Sequence, residues 1–87
     1  MKKFQYTLRD PLGLHARPAG LLVKEAQKFQ SEITLTALPA GKSASAKKLL
    51  AVMGLGVKGG DTVEVSTVGA DEARAGEELL RWMEENL

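Results

Sequence analysis

The sequence has no cysteine and a single histidine, His15, among its 87 residues. The first absence excludes disulfides and thiolate metal centres and fits a reducing compartment, so a cytoplasmic location is expected. The second excludes a histidine metal cluster, and no metal or cofactor is expected. No apolar run approaches the length that crosses a bilayer, so membrane insertion is not expected. The opening Met1-Lys2-Lys3-Phe4-Gln5-Tyr6 has no apolar stretch behind its lysines, which argues against a secretory signal. Twelve basic residues balance eleven acidic ones, without the basic excess of a dedicated nucleic-acid binder. Linkers, repeats and low-complexity segments are also missing. The length fits one domain, residues 1–87, with a modest core and no room for large enzymatic machinery. Function must then come from one small site and from partners.

The patterns that are present change period along the chain. Phe4, Tyr6 and Leu8 alternate with Gln5 and Thr7, which predicts a half-buried strand, and Asp10-Pro11-Leu12-Gly13 breaks it. From Ala16 the spacing is helical: Ala19, Leu22, Val23, Ala26 and Phe29 form one stripe, which predicts a helix over 16–30 with Pro18 in its first turn. Ile33, Leu35 and Ala37 alternate with Glu32, Thr34 and Thr36, a second strand, and 42–44 is a short returning one. Ser45 is the expected N-cap of a short helix over 46–53 that ends at Gly54. Thr62 to Val68 alternates with Val63 and Val65 inward. Asp71 and Glu72 suit the positive end of a last helix, whose expected stripe is Ala73, Gly76, Leu80, Met83 and Leu87. Trp82 reads as a partly covered packing residue. This order predicts an α+β fold, a four-stranded antiparallel sheet covered on one face by three helices.

Three glycine motifs fail on context. Gly54-Leu55-Gly56-Val57-Lys58-Gly59 matches the dinucleotide fingerprint but follows a helix and precedes a strand, the reverse of what that motif requires. Gly41-Lys42-Ser43 resembles the end of a phosphate-binding loop, yet Thr36 stands where its first glycine belongs. Lys58-Gly59-Gly60-Asp61 lacks the flanking helices of an RNA-binding glycine loop and reads as a turn.

The stretch Gly13-Leu14-His15-Ala16-Arg17-Pro18-Ala19 has a chemical logic of its own. His15 lies where a glycine-containing loop becomes a helix. The first amides of that helix, at Ala16, Arg17 and Ala19, have no helical partners, and with the helix dipole they form an anion site. The positive helix end and Arg17 both disfavour a charged imidazole, so a neutral, nucleophilic His15 is expected. The same amides and the Arg17 guanidinium are suited to hold a phosphoryl group placed on His15.

Leu12-Gly13-Leu14-His15-Ala16-Arg17-Pro18-Ala19 resembles the active-site signature of HPr, the histidine-containing phosphocarrier family of the bacterial phosphoenolpyruvate:sugar phosphotransferase system. Phe29-Gln30-Ser31-Glu32-Ile33, Gly41-Lys42-Ser43-Ala44-Ser45-Ala46-Lys47, Met53-Gly54-Leu55-Gly56-Val57 and Gly69-Ala70-Asp71-Glu72-Ala73 resemble further segments of the family in order. The resemblance implies the same sheet with three helices. It implies that His15 takes a phosphoryl group at Nδ1 from phosphorylated enzyme I, that Arg17 contacts that group, and that enzyme IIA proteins receive it. Such a chain carries a phosphohistidine intermediate and is not a free-standing enzyme.

Around this site a partner face is expected. Arg17, Lys24 and Lys28 share one side of the first helix, and Lys47 and Lys48 add charge that would steer acidic partners. In the second helix, four apolar residues in five exceed what one stripe needs, so some are expected at the surface, with Leu49, Leu50 and Met53 as candidates. Leu12, Gly20 and Gln27 complete the expected partner contacts. Many HPr proteins have a regulatory serine at the start of this helix. Alignment from Gly41-Lys42-Ser43 puts Lys48 there, so ATP-dependent serine phosphorylation is not expected. A monomer is expected from the small size and transient contacts. Two alternatives stay open on sequence: a nitrogen-branch carrier with a regulatory role, and a non-catalytic regulatory binding domain, against which the presence of His15 and Arg17 weighs.

Overall fold

A computed structural model describes residues 1–87. In chain order the elements are β1 (Lys2–Thr7), α1 (Ala16–Ala26), β2 (Glu32–Leu38), β3 (Lys42–Ser45), α2 (Leu49–Met53), β4 (Thr62–Val68) and α3 (Glu72–Asn86). The strands form one antiparallel sheet in the order β1-β4-β2-β3. Register explains the two faces. Phe4 pairs with Val65, Tyr6 with Val63, and both valines continue across to Leu35 and Ala37. This row is apolar and lies under the helices, where Leu22, Val23, Val52, Leu79 and Met83 complete one core. The alternate row runs Gln5–Glu64–Thr36–Ser43. It is polar and needs no cover, as an antiparallel sheet with one solvated face allows. The architecture is the expected open-faced α+β sandwich.

The helices differ from the sequence reading at their ends, for identifiable reasons. α1 stops at Ala26, four residues early, because the amides of Lys28 and Phe29 turn to Glu25 and Ala26, both at 3.2 Å, instead of four residues back. Beyond that turn, Asp71 accepts the amides of Gln30 and Ser31, each at 2.9 Å, and the Ser31 hydroxyl. These donors hold the carboxyl of Asp71 down at about 2, the Ser31 hydroxyl contributing most. The grip ties the end of the α1 segment to the start of α3.

α2 begins at Leu49 with Lys48 as its N-cap; Ser45 does not cap it. Ser45 still belongs to β3, and the Ala46 amide continues that pairing to the Ile33 carbonyl at 2.8 Å. The Ser45 hydroxyl accepts the Lys47 amide at 3.3 Å, shaping the exit from the sheet. At the other end, the Lys42 ammonium donates to the Gly54 carbonyl at 3.0 Å, serving the negative end of α2. In α3 the buried stripe is Ala75, Gly76, Leu79, Met83 and then Leu87. Ala73 is exposed and Leu80 half-buried, so the expected stripe holds at Gly76, Met83 and Leu87 while Ala75 and Leu79 take the places expected for Ala73 and Leu80.

Candidate functional site

The loop from Leu8 to Leu14 is held tightly before it delivers His15. The Gly13 amide donates to the Asp10 carbonyl at 2.9 Å, and the Leu14 amide to the Val57 carbonyl at 3.0 Å. Gly13 has φ +64° and stands so near the backbone of Val57 that a Cβ would lie 2.4 Å from its oxygen. Only glycine satisfies both constraints. Leu14, Pro18 and Ala19 are buried on either side, so His15 projects from an anchored backbone while remaining exposed itself.

His15 is the N-cap residue of α1, with extended backbone at φ −77° and ψ 179° and no side-chain capping bond. Its carbonyl accepts the Ala19 amide at 3.0 Å. That bond corrects the expectation that the Ala19 amide is free. The amides of Ala16 and Arg17 find no protein acceptor, and Pro18 has none to offer. His15 therefore immediately precedes two unpartnered N–H groups at the positive end of a helix. The Arg17 side chain is exposed and forms no ion pair.

A shallow cavity of about 270 Å³ brings His15 and Arg17 together with Asp10, Pro18, Leu21, Trp82 and Asn86. Four of these, Asp10, Leu21, Trp82 and Asn86, were not among the sequence candidates. Leu21 had a local signal, since it lies four residues after Arg17 on the polar side of α1 and is 49% exposed. Trp82 and Asn86 had none. They arrive through topology, because the end of α3 is fastened to the loop before His15. The amides of Arg9 and Asp10 donate to the Leu87 carbonyl oxygen at 2.8 and 2.9 Å, and the Arg9 guanidinium donates to the Glu84 carbonyl. Trp82 is half-buried as expected, but its remaining surface faces this cavity. A groove of similar size between β1 and α3, bounded by Phe4, Gly76 and Leu80, contains no histidine or hydroxyl group.

A family model for the HPr component phosphorylation site of the phosphotransferase system matches residues 2–85. The chain belongs to the HPr family. It is 42% identical over 86 residues to the phosphocarrier protein HPr of Mycoplasma genitalium, covering 99% of this chain and 97% of that protein. Its fold is similar to the crystal structure of HPr-C-His from Thermoanaerobacter tengcongensis, with a TM-score of 0.91 at 37% identity over 99% of this chain and 94% of that one. It is also similar to a crystal structure of an HPr dimer from that organism, with a TM-score of 0.75 at 38% identity over 98% and 95% of the two chains.

Within this HPr-family chain the expected partner residues divide by environment. Leu12 and Leu50 are the most exposed of the apolar group, at 70% and 83%, while Leu49 and Met53 are near 39% and 38% and Val52 supplies the core contact. α2 packs against α1, and the Leu14–Val57 bond sets the segment after α2 beside the loop that carries His15. Gly20 presents open space where a Cβ would stand. Lys24 and Lys48 are exposed and unpaired. Lys28 lies beyond the end of α1 and pairs with Glu25 at 2.8 Å, so its charge is partly offset. Lys47 points its ammonium to the Phe29 carbonyl at 2.6 Å and accepts the Gln27 amide on its own carbonyl at 3.2 Å. Gln27 and Lys47 therefore tie α1 to the approach of α2, and Arg17, Lys24 and Lys48 are the expected partner cations that remain exposed and unpaired.

Proposed function

We propose that this chain is a phosphoryl carrier that accepts a phosphoryl group on His15 from phosphorylated enzyme I and passes it to enzyme IIA proteins in phosphoenolpyruvate-dependent sugar uptake. The observation that supports it most is the exposed His15 beside the free amides of Ala16 and Arg17 and the unpaired Arg17 guanidinium. A lone pair on the imidazole, at Nδ1 by the family resemblance, attacks phosphorus. The donor's bond to phosphorus breaks and its electron pair stays with the donor. The two amides and Arg17 then face the new negative charge. On the second partner the steps reverse: the acceptor's nucleophile attacks, the nitrogen–phosphorus bond of His15 breaks, and the electron pair returns to the ring.

The open cavity suits this role, since both partners must reach one imidazole in turn. The carrier acts as a monomer in this reading, because a stable dimer through Leu49, Leu50 and Met53 would cover the surface that partners need; size-exclusion chromatography tests that point. The function itself is tested by loading the protein with enzyme I and phosphoenolpyruvate, then offering purified sugar-type and nitrogen-type enzyme IIA proteins. Transfer to the sugar type is the expected result. Transfer only to the nitrogen type would move the carrier to a regulatory branch, and loading without transfer to either would contradict the carrier role.

A further inference from the structure

Asp10 stands on the wall of the cavity that holds His15 and Arg17. Three hydrogen bonds fix it there. Its amide donates to the Leu87 carbonyl oxygen and its carbonyl accepts the Gly13 amide, both at 2.9 Å, and its Oδ1 accepts the Leu12 amide at 2.9 Å. The last bond closes a local turn of the kind that aspartate and asparagine both make, because only one acceptor oxygen is needed. The second oxygen, Oδ2, receives no hydrogen bond from the protein, and neither Arg9 nor Arg17 forms an ion pair with the carboxylate. The full charge therefore exceeds what the turn requires. It lines the same cavity as His15, on a loop held by these backbone hydrogen bonds.

Like charges held at fixed separation raise each other's energy. We propose that Asp10 is a positioning residue that also lowers the stability of the phosphorylated carrier. Its turn sets the loop, and its charge opposes part of the stabilisation given by Arg17 and the two amides, which keeps the phosphoryl group transferable. This inference rests on the carrier reading of His15.

The test compares wild type, Asp10→Asn, Asp10→Ser and Asp10→Glu after equilibration with enzyme I in a fixed mixture of phosphoenolpyruvate and pyruvate. The ratio of phosphorylated to free carrier is read by intact mass. Asp10→Asn keeps the turn acceptor, and Asp10→Ser repeats the neutral substitution with a hydroxyl that forms the same turn. Both are expected to raise the ratio about threefold to tenfold at low salt. The gap should close at about 1 M salt, a change that a purely structural role would not produce. Asp10→Glu should stay near wild type. Neutral variants that match wild type, or a gap that survives high salt, would leave Asp10 as a turn former only. Failure of wild type to load at all would instead remove the carrier reading on which this one depends.

Discussion

Arg17 carries its charge without an acidic partner, next to the one residue whose new negative charge it is suited to meet. A hydrogen bond to a charged group contributes about 1.5–3 kcal/mol, so Arg17→Ala should slow loading from enzyme I by about tenfold or more. Arg17→Lys should recover only part of this, because a single ammonium lacks the planar fork that meets two oxygens at once. Rapid-quench measurement of loading checks both, and an unchanged rate in Arg17→Ala would separate the guanidinium from the phosphoryl group. His15 and Arg17 were legible in the sequence because their meaning is local: a glycine turn, a helix start and a proline fix where they stand. Trp82 and Asn86 were not, since 67 residues or more separate them from His15 along the chain and only the fastening of α3 to the Arg9–Asp10 backbone brings them near.

At the scale of elements, strand positions followed their alternation closely, whereas helix ends did not. The differences come from side chains that act across the fold. Asp71 has the position of a helix cap but makes no cap bond to its own helix, and instead holds Gln30 and Ser31. No pattern near Asp71 indicates that destination. Its carboxyl lies at about 2 against an ordinary 3.8. A depressed carboxyl stabilises the fold above its unfolded value, and this contribution is lost as the pH falls from about 4 toward 2. Urea midpoints measured across that window should fall more steeply for wild type than for Asp71→Asn, and parallel curves would contradict the assignment. α2 carries a second consequence. Lys48 offers no acceptor to the amides it precedes and places a positive charge at the positive end of the helix. Lys48→Ser should stabilise the protein by about 1 kcal/mol, read from equilibrium unfolding. The wild type should take no ATP-dependent phosphate from an HPr kinase at Ser45, the serine nearest before α2; a phosphoserine there would contradict that.

For the whole molecule, a balanced net charge hides an uneven distribution. Lys28 and Lys47 are engaged within the protein, and of the expected partner cations Arg17, Lys24 and Lys48 remain exposed and unpaired. Lys24→Glu should lower the association rate with enzyme I severalfold at low salt, with the difference largely screened at about 0.15 M and above. The same change at Lys28 should matter less, and stopped-flow binding across a salt series distinguishes the two. Equal effects at both positions would mean that the ion pair with Glu25 does not shape the field. The carrier role depends on one event at one nitrogen-bearing side chain. Its most direct test is the intact mass of wild type and His15→Ala after incubation with enzyme I and phosphoenolpyruvate. The expected result is a single added phosphoryl group on wild type, lost in acid and kept in base, and none on a folded His15→Ala protein. An unmodified wild type, or a phosphoryl group that persists in the variant, would contradict it.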